Sequence, residues 1–153
     1  MRALKLSLEE RYGVSVPADH FIIPWLANYA AFAINRFEVG SDGMTPFQRL
    51  RGKPFTQSMC EFGECLHALS YKQSGVKHKH KLQSRWYDGV FVGFYGQTNE
   101  FLIGTPDGIR RARTVKRKPI PERWDIAQLN AFKGLPPAPE VPHCSCIVSK
   151  KCA

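Results

Sequence analysis

Residues 89 to 95 read GVFVGFY, and this run limits the possible folds more than any other stretch of the chain. Side chains alternate along an extended backbone, so Val90, Val92 and Phe94 are expected on one side and Phe91 and Tyr95 on the other. A strand that is apolar on both sides needs cover on both sides, as in a barrel. One face open to water would not satisfy it.

The flanking sequence supplies partners for this strand. Gly96 to Asn99 is a turn, and Phe101 to Gly104 reads as the next strand. Pro106, Asp107 and Gly108 form a second turn, which makes Ile109 to Lys116 a third member of an antiparallel meander. Glu64 to Tyr71 is expected to add a fourth.

Ahead of these strands the periodicity is helical. Ala3, Leu4, Leu6, Leu8 and Tyr12 predict a first helix that stops at Gly13. Ile22, Leu26, Tyr29, Ala30, Ala33 and Phe37 predict a second, with Asp19 as its cap, that is apolar nearly all round. Thr45 and Pro46 are the N-cap and first residue of a short third helix ending near Gly52. Beyond Trp124 the pattern fades, and Leu135 to Pro142 is rich in proline.

Charge is concentrated in the strand half. Arg110, Arg111, Arg113, Lys116, Arg117 and Lys118 follow one another without an intervening acid. Lys77, Lys79, Lys81 and Arg85 form a second cluster in the loop before GVFVGFY. The chain has 22 Lys and Arg against 13 Asp and Glu, a net charge of +9, which favours polyanionic partners through counterion release. Unbroken alternation would put Arg111, Arg113 and Arg117 beside Ile109 and Val115, and Arg110 and Lys116 beside Ala112 and Thr114. Such a strand suits a sheet edge, where Lys and Arg also deter strand addition. Nucleic-acid contact is the favoured reading, made through phosphates because no base-reading helix is evident. Trp86, Tyr87 and Phe91 would stack on bases only if the ligand were unpaired, and are expected in the core instead.

Other readings are weaker. The longest apolar stretch, residues 21 to 33, is interrupted by Pro24 and Asn28, so no membrane span is expected, and the first residues show no secretory pattern. An odd count of five cysteines fits free thiols and an intracellular setting. His143, Cys144, Cys146 and Cys152 contain a Cys-x-Cys spacing tighter than zinc knuckles use, and His78 and His80 alternate with lysines, so no metal site is expected. Cys60 and Cys65 read as packing thiols. Asp19, Asp42, Asp88, Asp107 and Asp125 fall at a cap, in loops or at strand ends, and no carboxylate pair stands out.

The order of several motifs resembles the end of a Ty1/copia-class retrotransposon integrase. Asn35-Arg36 closes an alanine-containing helix, Thr45-Pro46-Phe47 opens a short one, Gly52-Lys53-Pro54 leaves it, and Phe62-Gly63 enters the strand half. Gly89, Phe91, Gly93, Phe94 and Tyr95 complete the match, which spans roughly residues 1 to 125. The resemblance implies the end of a ribonuclease-H-like core joined to an SH3-like barrel. The parent enzyme would hold two divalent ions, magnesium or manganese, on two Asp and one Glu to activate water or a 3' hydroxyl at phosphorus. Those three carboxylates align upstream of residue 2. Glu9 and Glu10 lack their surrounding motif and read as a solvated helix face.

The expectation is therefore an α+β chain: N-terminal helices over 1–58, a small antiparallel SH3-like barrel over 59–125, and a disordered proline-rich tail over 126–153. The expected role is non-catalytic, with no cofactor of its own, contacting DNA or other nucleic acid through Lys77, Lys79, Lys81, Arg85, Arg110, Arg111, Arg113, Lys116, Arg117 and Lys118. Action as part of an integrase would place it in the nucleus. A protein-interaction module is the alternative, including self-association through Phe21, Trp25, Phe32 and Phe37.

Overall fold

The computed structural model describes residues 1–70, 84–96 and 98–137. Its elements are α1 (Arg2–Tyr12), α2 (Ile22–Phe37), α3 (Pro46–Arg51), β1 (Cys65–Leu69), β2 (Trp86–Phe94), β3 (Phe101–Thr105), β4 (Gly108–Ala112), β5 (Val115–Arg117), a 3-10 turn (Ile120–Glu122) and α4 (Ile126–Ala131). The architecture is α+β. Local chemistry accounts for the helix ends: Gly13 and Gly52 take left-handed φ of 66° and 70°, and the Thr45 side chain accepts from the Gln48 N–H with Pro46 next in line. Asp19 does not cap α2. The His20 Nδ1 accepts the Ile22 N–H at 3.1 Å in its place.

The strands form one antiparallel sheet in the order β4-β3-β2-β1-β5. The basic stretch is not one strand, as its alternation had suggested, but two strands at opposite edges. Arg113 and Thr114 alone carry the chain from one edge to the other. Three residue steps reach at most about 11 Å, whereas a flat sheet of this width would separate its edge strands by about 19 Å. The sheet must therefore curl sharply, and it does so without closing: no ladder joins β4 to β5. The expected barrel is an open, coiled sheet.

A bulge re-aims the central strand. The register shifts between Phe91 and Gly93, with Gly93 at φ 148°. Phe94 pairs with Phe101 and Phe91 with Ile103, so Phe94 joins Phe91 inside the curl instead of sharing a side with Val90. Their ring centroids are 5.3 Å apart. Val90, Phe91, Val92 and Phe94 are all buried, so both faces of β2 are covered as the sequence required.

Helix α2 supplies much of that cover. The Tyr29 ring lies 5.0 Å from Phe62 and 6.1 Å from Phe91, and Phe32 stacks on Phe94 at 5.0 Å. Ile22, Trp25 and Leu26 are buried with them, each worth about 1.5–3 kcal/mol of transfer free energy. Of the four aromatic residues on and beside α2 expected to self-associate, Trp25 is buried and Phe32 half-buried in the chain's own packing, while Phe21 and Phe37 are exposed. At the far end of α2 the Arg36 guanidinium sits 3.8 Å from the Phe32 ring, 4.9 Å from Phe47 and 5.2 Å from Phe55, tying α2 to α3 and the segment after it.

The segment after residue 125 is not a disordered tail at its start. Asp125 caps α4 by accepting the Ala127 N–H at 2.9 Å, and Leu129 and Phe132 are buried. Trp25 Nε1 donates to the Gly134 carbonyl at 2.9 Å, and Lys133 N–H donates to Thr105. Gly104 has no side chain because Phe132 occupies the space where a Cβ would stand. Residues 138–153, with His143, Cys144, Cys146 and Cys152, lie outside the described residues.

Candidate nucleic-acid interface

Cross-strand register decides which basic side chains share a face. Val90 pairs with Gly104 and Gly104 with Ile109, so Leu102 and its partner Arg111 lie on this outer side. Val90 also pairs with Cys65, which puts His67 and its partner Lys116 on the same side. Arg111 and Lys116 thus share the outer face from opposite edges, while Arg110, opposite Ile103, belongs to the inner one. The break at residues 113 and 114 produces this assignment. An unbroken strand would have put Arg110 and Lys116 together.

The expected contacts divide by what already holds them. Arg110 is exposed and reaches Asp107 at 2.9 Å, with its guanidinium 5.5 Å from the Tyr87 ring. Arg111 lies 4.7 Å over the Tyr95 ring and makes no salt bridge among the described residues, although its charge joins that of Arg113 in lowering the Glu100 carboxyl. Arg113 donates to Glu100 at 2.9 Å, bordering a polar cavity of about 430 Å³ lined by Gln57, Thr98, Asn99 and Glu100. Lys116 and Arg85 are exposed, without an acidic partner among the described residues. Lys77, Lys79 and Lys81 lie outside those residues.

Arg117 and Lys118 are used inside the fold. Glu64 is fully buried; its Oε1 accepts from Arg117 Nε at 2.7 Å and lies 3.4 Å from Arg123 Nε, and its Oε2 accepts the Glu61 N–H. A buried carboxylate is tolerated only with such compensation. Lys118 is only 5% exposed, with its ammonium 2.7 Å from Asp88 Oδ2. This corrects the expectation that Lys118 faces solvent: its side chain is buried and its ammonium is held by Asp88.

Sequence reasoning did not foresee the partner of Lys118. Asp88 is not loop chemistry but lies within β2, opposite His67, whose Nδ1 is 2.6 Å from Asp88 Oδ1. Burial pushes the Asp88 carboxyl up, but hydrogen bonds from Lys118 and His67 outweigh it and hold the group below its ordinary value. The outer face therefore carries an acid with both oxygens engaged by basic groups. A polar residue inside a strand next to apolar ones was the available signal. Trp86 also departs from expectation: it is 41% exposed, whereas Phe91 is buried and Tyr87 half-buried.

Among the described residues no group of three or more His, Cys, Asp or Glu gathers as a metal site. No helix among them is long and apolar enough to cross a membrane. Comparison with protein-family models, with curated proteins and with solved structures finds no match.

Proposed function

We propose that this chain is a non-catalytic portion of a copia-type integrase that contacts nucleic acid through the phosphates. The observation that carries the reading is the arrangement of Arg111 and Lys116 on one outer face, exposed and without a salt bridge among the described residues, in a chain of net charge +9. The motif order that resembles those integrases, and a coiled five-stranded antiparallel sheet behind a helical segment, support the family part. Contacts of this kind position a duplex without reading its sequence. Work on chromosomal DNA would place the chain in the nucleus.

The test is binding of a labelled duplex by fluorescence anisotropy between about 50 and 200 mM salt. Each phosphate contact contributes a slope of about 0.9 in log K against log salt, so Arg111→Ala and Lys116→Ala combined should lower the slope by about 2. A folded double variant with an unchanged slope would refute the assignment, and so would a wild-type chain that binds no duplex at the lowest salt.

A further inference from the structure

The outer face holds a second feature beside its cations. Trp86 opens β2, pairs across the strand with Leu69, and exposes 41% of its surface. Its ring makes no aromatic or cation contact among the described residues, and its indole N–H has no hydrogen-bond partner there. Tryptophan normally puts its large apolar surface into packing, so a ring this exposed, with no aromatic or cation contact among the described residues, is available for a planar ligand. The backbone beneath it is firmly placed. Trp86 N–H donates to Ser84 Oγ at 3.2 Å, and Ser70 N–H donates to the Arg85 carbonyl at 2.8 Å across the strand pair.

One exposed cation lies on the same side of the sheet as this ring. Alternation puts Trp86 and Asp88 on one face, and register puts His67 beside Asp88 and Lys116 beyond His67. Lys116 and Trp86 are thus two strands and two residues apart, a backbone separation of about 12 Å. Arg85 precedes Trp86 and is exposed. The acid within the patch is neutralised, since Asp88 faces His67 at 2.6 Å and Lys118 at 2.7 Å. What the face presents outward, among the described residues, is an exposed aromatic plate with Lys116 on its own side of the sheet.

We infer that Trp86, with Lys116 on the same face, is a stacking platform for an unpaired nucleic-acid strand. Bases in a duplex are stacked on each other and hide their faces, so only an unpaired or splayed base can lie on the indole. A phosphate next to that base falls to Lys116. This rests on the nucleic-acid reading above and adds to it the form of the ligand: single strands or frayed ends are preferred over closed duplex.

The experiment compares oligo(dU), oligo(U) and a duplex of equal length on wild type, Trp86→Ala and Trp86→Phe, with a thermal melt for each variant. Stacking predicts that Trp86→Ala weakens single-strand binding by about 5- to 100-fold and leaves duplex binding within about twofold, while Trp86→Phe keeps most of the affinity. Preference between the two oligomers then identifies the sugar that the site accepts. Equal single-strand binding by a folded Trp86→Ala overturns the platform, as does an equal loss for duplex and single strand. Duplex binding with the expected salt slope in either of those cases leaves the phosphate-contact reading standing, whereas no binding of any of the three ligands removes both.

Discussion

Arg117 donates from Nε to Glu64 Oε1 at 2.7 Å, and Glu64 is wholly buried while the arginine remains partly exposed. The sheet register explains the pairing, since Arg117 sits opposite Leu66 on β1 and points to the inner side where the chain enters that strand. The pair turns a basic residue that looks like a nucleic-acid contact into a structural counter-charge. Arg117→Ala should lower unfolding stability by about 2–3 kcal/mol, less than for a buried pair left wholly unmatched, because Arg123 stays near the carboxylate. Urea unfolding measures this, and a loss under about 0.5 kcal/mol would show that Glu64 does not depend on Arg117.

Lys118 and Arg111 should behave oppositely in the same two assays. Lys118→Ala removes a buried ammonium from Asp88 and is expected to cost stability while leaving the salt slope of DNA binding unchanged. Arg111→Ala removes an exposed guanidinium and is expected to lower the slope by about 0.9 with little change in the melt. Interchanged outcomes would mean that the faces have been assigned wrongly.

The segment beyond residue 125 should be part of the cooperative fold. Phe132 is buried against Gly104, so Phe132→Ala should cost about 3–5 kcal/mol, and Gly104→Ala should cost about 1–3 kcal/mol by overpacking the same contact. Both are read by chemical unfolding. A chain cut after residue 125 that unfolds at the same denaturant concentration as the longer one would contradict the packing.

Acid should loosen the turn between α2 and α3. Hydrogen bonds from Arg49, then from the Met44 N–H, hold the Asp42 carboxyl at about 2, below its ordinary 3.8. A depressed carboxyl contributes its stability in full above the ordinary value and loses it as pH falls toward the folded one. The stability difference between wild type and Asp42→Asn should therefore shrink from about pH 4 downward and level off only below about pH 2. Denaturant unfolding across that range checks it; a gap that stays constant would exclude this carboxylate as the source.

Cys60 is buried, and burial followed by the charge of Glu64 pushes its thiol up to about 11. It should stay protonated at neutral pH and escape alkylation in the folded protein, then react fully in denaturant. Mass spectrometry of the Cys60 peptide after iodoacetamide treatment distinguishes the two states.

Much of the local structure was legible in the sequence because it depends on neighbours in the chain. Thr45-Pro46 and Gly52 bound α3 through a side-chain cap and a left-handed residue, and Pro106-Asp107-Gly108 makes the turn into β4, each by chemistry confined to a few residues. The double-sided apolar run at residues 89 to 95 correctly demanded cover on both faces. Only the tertiary structure decided what gave that cover, how the bulge at Gly93 re-aimed Phe94, and where the basic stretch breaks. Those outcomes depend on the curl of the sheet, which brings its edges close enough for two residues to cross between them. Alternation along a strand says which residues share a side, but it cannot say where the strand ends; here the fold leaves Arg111 and Lys116 exposed on the outer face and pairs Arg117 and Lys118 with its own Glu64 and Asp88.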